Sequence, residues 1–185
     1  MTLDDLVHQV VQDVPEAPLM TIRDAITRMA RELCTEADVW VQEGEPVVVA
    51  ANTANPQIVA SSGEPLRIVS LKIDGRECVQ GQGFDQPTPT SIELYQRPNA
   101  SMLYGRLACR PAMGDMPPSE VVDRWDMAIA NGARWRLLML PQPWRNPELA
   151  NYYHQQYLAD VATARQNSRL GHARGGARVK ARRFI

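Results

Sequence analysis

The side chains best suited to acid–base or metal chemistry are the three histidines, His8, His154 and His172. A metal centre needs several such groups aimed at one point. These three are scattered over separate regions of the chain, and His8 sits among the apolar residues of a helix, so each reads as a helix-face residue rather than a ligand. Asp123 and Asp126, three residues apart, share a helix face, where a carboxylate pair near a positive N-terminus serves solubility and the helix dipole. The three cysteines, Cys34, Cys78 and Cys109, are odd in number and irregularly spaced, and are expected to be free, structural thiols. There is no GxSxG, P-loop or HExxH motif. Gly81-Gln82-Gly83 lacks the third glycine and the strand–helix setting of a dinucleotide loop, and the Asn99-Ala100-Ser101 sequon has no secretion signal to give it meaning. The chain is therefore expected not to be an enzyme and to need no cofactor and no metal.

The aromatic residues Trp125, Trp135, Tyr152, Tyr153 and Tyr157 gather in one stretch. Spaced along helices, they are expected to pack helix on helix, since a platform for unpaired bases would interleave them with basic residues.

The strongest chemical signal is electrostatic. The chain has 20 basic and 21 acidic residues, yet Arg165–Ile185 holds seven basic residues and no acidic one. Residues 1–164 thus run eight negative and the final segment seven positive. Such asymmetry points to a segment that meets another surface. Three readings are open for it: a merely solvated extension, a grip on nucleic-acid phosphates, or docking onto a protein. The apolar end, Phe184-Ile185, favours docking, and ARVKARRFI alternates enough to add as a strand to a partner's sheet edge.

The elements that position these residues follow from local pattern. Thr2 is expected to cap a first helix, with Asp4 and Asp5 in its first turn, an apolar stripe of Leu3, Leu6, Val7, Val10, Val11 and Val14, and Pro15 to end it. A second helix is expected over about Pro18–Thr35, where Leu19, Ile22, Ile26, Met29 and Leu33 recur at three and four. From Trp40 the pattern shortens. VVVAA, QIVA, LRIVSLKI, RECVQG, SIELY and SMLYGRLACRPA read as five or six short extended pieces, with a hairpin turn at Asp74-Gly75 and a second hairpin joining SIELY to SMLYGRLACRPA. A third helix should run from Ser119 to about Leu140. Its mid-helix Gly132, costly by about 1 kcal/mol relative to alanine, implies close approach of another backbone. Asn146-Pro147-Glu148 starts a last helix that reaches about Arg169 and ends near Gly171.

The fold class is thus α+β: a bundle of about four helices with a β-rich insertion and an extended basic C-terminal tail. The expected divisions are 1–39 for the first bundle helices, 40–112 for the insertion, 113–171 for the last bundle helices and 172–185 for a docking arm. A length of 185 residues with 44% hydrophobic and 22% charged residues is ordinary for a soluble domain. No run of apolar residues is long enough for a membrane span, and the acidic, amphipathic start is unlike a signal peptide, so a cytoplasmic site of synthesis is expected.

Four stretches in this order resemble the head-to-tail adaptor (connector) proteins of tailed bacteriophages. They are AITRMARELCTEADVW, where Cys34 and Trp40 close a helix and lead into β structure; the Ala/Gly-rich RWDMAIANGARWRLLMLP; the junction PQPWRNPELANYYHQQY; and the long last helix running into a tail that ends ARRFI. They cover about half the chain, at both ends. The resemblance implies a virion structural protein at the head–tail junction: a ring, commonly of twelve subunits, docked beneath the portal protein. It would receive a tail or nozzle protein on its other face and pass genomic DNA through its channel without sequence-specific binding. It also implies that the C-terminal extension reaches the portal. On this chain that assigns docking to Arg174, Arg178, Val179, Lys180, Arg182, Arg183, Phe184 and Ile185. The alternative is a cytoplasmic nucleic-acid-binding protein gripping phosphate with the same tail.

Overall fold

In the computed structural model, the described residues are 1–50, 53, 55–96 and 100–170. Four helices and an antiparallel sheet form a mixed α+β fold.

Helix α1 covers Leu3–Val11. Thr2 caps it, its hydroxyl accepting from the Asp5 amide while the Asp5 carboxylate accepts from the Thr2 amide. This reciprocal pair satisfies two amides that a helix start would otherwise orphan. Helix α2 covers Leu19–Ala37 and buries the predicted stripe of Ile22, Ile26, Met29 and Leu33. It ends two residues later than periodicity suggests because Asp38 takes the left-handed conformation, with φ of 50°. A short polar side chain tolerates that region better than most.

Helix α3, Ser119–Met139, is the centre of the bundle. Seven consecutive residues, Ala128–Arg134, are all buried, which happens only when neighbours cover every side of a helix. Small residues fill this run because α1, α2 and α4 must all approach it. Non-helical angles at Trp125 (φ −125°, ψ 23°) kink α3. Val121, before the kink, packs towards the sheet, and Ile129 and Leu137, after it, enter the helical core. Gly132 does mark a close approach, but by side chains rather than by backbone. A Cβ there would come within 2.5 Å of Met29 Cε and 3.1 Å of Tyr157 Cδ2. Helix α4, Pro147–Leu170, begins where expected, with Asn146 Oδ1 accepting from the Leu149 amide at 3.1 Å.

Between α2 and α3 the described residues form seven strands: β1 (Val41–Glu43), β2 (Val47–Ala50), β3 (Glu64–Ile73), β4 (Arg76–Cys78), β5 (Phe84–Asp85), β6 (Glu93–Leu94) and β7 (Ala100–Arg110). Five form one antiparallel sheet in the order β1-β7-β3-β4, with β2 also on β7. Two of them are long, at 10 and 11 residues, where only short pieces were expected. The Asp74-Gly75 hairpin forms as expected, with positive φ at both residues, as a tight two-residue turn of matching twist requires.

The second expected hairpin does not form. SIELY does not pair with SMLYGRLACRPA; its Glu93-Leu94 pairs with β5, and β7 pairs with β3, β1 and β2. QIVA is no strand of the main sheet either. Ile58 donates to the Thr90 carbonyl and Ile92 to that of Pro56, both at 2.9 Å. Ile58 then lies over Gly44 and Gly105, where a Cβ on either glycine would overlap it. The long alternating β7 finds its largest matching surface on β3, and local chain proximity loses to that burial.

Two cores result. One lies among the helices; the other, under the sheet, gathers Trp40, Ile58, Leu71, Phe84, Leu103 and Leu107 together with Cys34 of α2. Glu64 ties the two parts together, accepting from Arg31 Nη2 of α2 at 2.7 Å and from Arg110 Nε of β7 at 3.0 Å. Both guanidinium groups hold its carboxyl below the usual range, Arg31 first.

Candidate functional site

The residues assigned to docking, Arg174, Arg178, Val179, Lys180, Arg182, Arg183, Phe184 and Ile185, lie outside the described residues, as does His172. In sequence they follow α4, which with the helices it packs on forms a platform. The last strong anchor of α4 is Arg165. Its Nε donates to the Glu36 carbonyl and its Nη2 to the Glu36 carboxylate, each at 2.9 Å. This bond also occupies carbonyl and carboxylate groups at the C-terminal end of α2, where a cation is favoured. Beyond Arg165, the side chains of Gln166, Ser168 and Arg169 are exposed.

Next to that platform is a cleft of about 550 Å³ between the sheet and the helices. Asn167 and Ser168 of α4 line it, with Trp40, Arg106, Arg124 and Trp125 on the other sides. The Arg124 guanidinium sits 5.6 Å from the Trp125 ring centre. Asp38 also borders the cleft, faced by Arg67 with an Nε–Oδ2 hydrogen bond of 3.0 Å and an Nη2–Oδ1 separation of 2.6 Å.

The platform is held by an ionic cluster that no sequence motif announces. Arg134 of α3 is only 7% exposed. Its Nε donates to Asp13 Oδ2 at 2.7 Å, its Nη1 to Asn131 Oδ1 at 3.2 Å and its Nη2 to the Gln9 carbonyl at 3.1 Å. Tyr153 of α4 donates to the other Asp13 oxygen at 3.0 Å and lies under the same guanidinium, 5.2 Å from it. Asn131 donates in turn to Asp160 at 3.2 Å. Burial first, then the Asp13 bond, pushes the Tyr153 phenol up. A buried charge is tolerated only when paired and hydrogen-bonded, and here the pairing joins α1, α3 and α4. The one sequence hint is an arginine set among the small residues of an otherwise buried run.

The aromatic residues divide by role. Tyr157 is in the helical core, 2% exposed, and burial raises its phenol strongly. Trp135 stacks on His154 at 4.1 Å and near Tyr157 at 6.2 Å. Tyr152, by contrast, is 56% exposed. These contacts are helix–helix packing, as the spacing suggests.

The other candidate groups stay apart. His8 is exposed on α1 rather than set into its apolar face. Asp123 binds the Met1 amine. Cys34 and Cys109 are buried and Cys78 half-buried, all with free thiols. Burial pushes the Cys34 thiol up to about 12, which suppresses the nucleophilic thiolate. Among the described residues no group of three His, Cys, Asp or Glu side chains is placed to hold a metal ion. No helix there is long and apolar enough to cross a membrane. Among the described residues the arrangement is suited to holding α4 firmly on the bundle. No family model matches the chain, and no curated protein does.

Proposed function

We propose that this protein is a structural component of a tailed-phage particle: a head-to-tail adaptor ring that joins the portal to the tail and continues the DNA channel. The observation that carries the reading is the charge-segregated end of the chain. A 24-residue helix is locked into the bundle by Tyr153, Tyr157 and Arg165, and in the sequence it is followed by a segment rich in arginine. Support comes also from the helices themselves: three of the four resembling stretches fall largely on α2, α3 and α4.

In this reading each arm makes only a small contact with the portal. A ring presents many arms at once, so after the first contact the others bind at high effective concentration. The assembly then attaches firmly although one arm binds weakly. The surplus of acid over base in residues 1–164 disfavours adhesion of passing DNA.

The test is co-sedimentation with portal rings from the same virus. The full chain attaches; a chain lacking residues 172–185 stays folded by circular dichroism and does not attach. Normal attachment by the shortened chain would refute the assignment. A salt titration of duplex binding separates the other reading: a steep slope that vanishes with the tail points to a phosphate-gripping protein instead.

A further inference from the structure

Tyr157 carries a hydroxyl into the bundle that no described group receives. The side chain is 2% exposed, and its Oη is buried without a hydrogen-bond partner among the described residues. A buried hydroxyl left in that state keeps the whole cost of its lost hydration, and folded proteins leave few such groups. A ring flip offers no escape, because the oxygen lies on the axis of the flip. Nor is the ring free to swing out. It packs against Gly132, where a Cβ would come within 3.1 Å of Tyr157 Cδ2, and its centre lies 6.2 Å from that of Trp135.

The groups that face the hydroxyl are charged. Burial first, then Glu32 and Glu36 of α2, raises the phenol, while Arg165 of α4 and Arg136 of α3 pull it down. These four pair two by two. Arg136 Nη1 donates to Glu32 Oε2 and Arg165 Nη2 to Glu36 Oε2, each at 2.9 Å. Each of these bonds uses one carboxylate oxygen and leaves the other able to accept. Glu32 and Glu36 are four residues apart, so they share a face of α2, where like charges repel. All four side chains are partly exposed. A groove of about 610 Å³, lined in part by Glu32, Trp135 and Arg136, brings solvent to the edge of this charged layer.

We propose that one ordered water molecule sits between Tyr157 and the charged layer, as a fixed part of the junction of α2, α3 and α4. It accepts from the Tyr157 O–H and donates to one oxygen each of Glu32 and Glu36. Three bonds are the usual number for an internal water, and a polar site of this kind holds one where an apolar cavity stays dry. A donor held between the two carboxylates also eases their repulsion. The two ion pairs and the phenol then form one network that clamps α4 to its neighbours. The adaptor reading has no part in this site.

The test compares crystals of the full chain with those of its Tyr157→Phe variant, which keeps the ring and its packing. A water peak is expected within about 3.0 Å of Tyr157 Oη and in hydrogen-bond reach of Glu32 or Glu36, and it is lost in the variant. A hydroxyl bonded directly to either carboxylate, or one with no water beside it, overturns the proposal. Urea unfolding reads the same contact in solution. The variant is expected to unfold at a lower urea concentration, because it gives up a satisfied hydrogen bond. An equal or higher midpoint also overturns the proposal, since the hydroxyl would then have been buried unpaired.

Discussion

Arg134 of α3 and Asp13, in the turn after α1, meet through an Nε–Oδ2 bond of 2.7 Å, with the arginine side chain 8% exposed. The pair is separated by 121 residues, yet it fixes how the first helix sits on the central one. Tyr153 adds α4 to the same carboxylate. Helix α4 is thereby fixed both to the turn after α1 and to the central helix.

Arg134→Ala is expected to destabilise the fold by about 3 kcal/mol, because it leaves Asp13 without its counter-charge and Asn131 without a donor. Urea unfolding followed by circular dichroism measures it. A loss below about 0.5 kcal/mol, typical of a surface change, would show that the cluster contributes little. Tyr153→Phe removes one neutral-donor bond to a charged group and should cost about 1–2 kcal/mol.

Gly132→Ala tests the central packing. Helix propensity alone favours alanine by about 1 kcal/mol. The added methyl meets Met29, whose tip can swing aside, but also the Tyr157 ring, which is held in the core. Overpacking of this kind costs about 1–3 kcal/mol. The net expectation is a destabilisation of about 1 kcal/mol, and a stabilised variant would contradict the tight approach.

Asp38 ends α2 with φ of 50°. Asp38→Ala is expected to destabilise by about 1 kcal/mol, because alanine keeps a Cβ in the left-handed region without the short polar side chain that tolerates it, and because the Arg67 ion pair is lost. Asp38→Gly loses the same contact but relieves the backbone. It should therefore be the more stable of the two variants, and the reverse order in thermal melts would count against this account.

Acid should loosen the joint between helices and sheet. Glu64 has its folded pKa depressed by Arg31 and Arg110. A group of this sign contributes stability above its unfolded value, about 4.3, and that contribution is lost as pH falls through the lower folded value. The unfolding midpoint in urea should drop as pH is lowered from about 4.3 towards the depressed folded value, and less steeply in Glu64→Gln. Identical slopes for the two proteins would remove Glu64 from the explanation.

Thiol labelling provides a check on the sheet core. Cys78 is half-buried, and Cys34 and Cys109 are buried. In the native protein Cys78 should react first with a maleimide, and the other two only after denaturant is added. Early modification of Cys34 would mean that the contact between α2 and the sheet opens readily.

The sequence by itself determined what depends on neighbours in the chain. Thr2, Asn146-Pro147 and Asp74-Gly75 set two helix starts and one hairpin because caps and tight turns are made by residues within a few positions of each other. The apolar stripe of α2 fixed which of its faces is buried. The charge contrast between Arg165–Ile185 and the rest was legible too, since charge is additive along a chain. Tertiary structure decided the pairing of β7 with β3 rather than with SIELY, the seat of Ile58 over Gly44 and Gly105, and the side chains that crowd Gly132. It also decided that Arg134, Asp13 and Tyr153 form one cluster. The physical reason is common to all four. Each depends on surfaces from distant segments competing for burial, and that competition is settled only when every segment is in place.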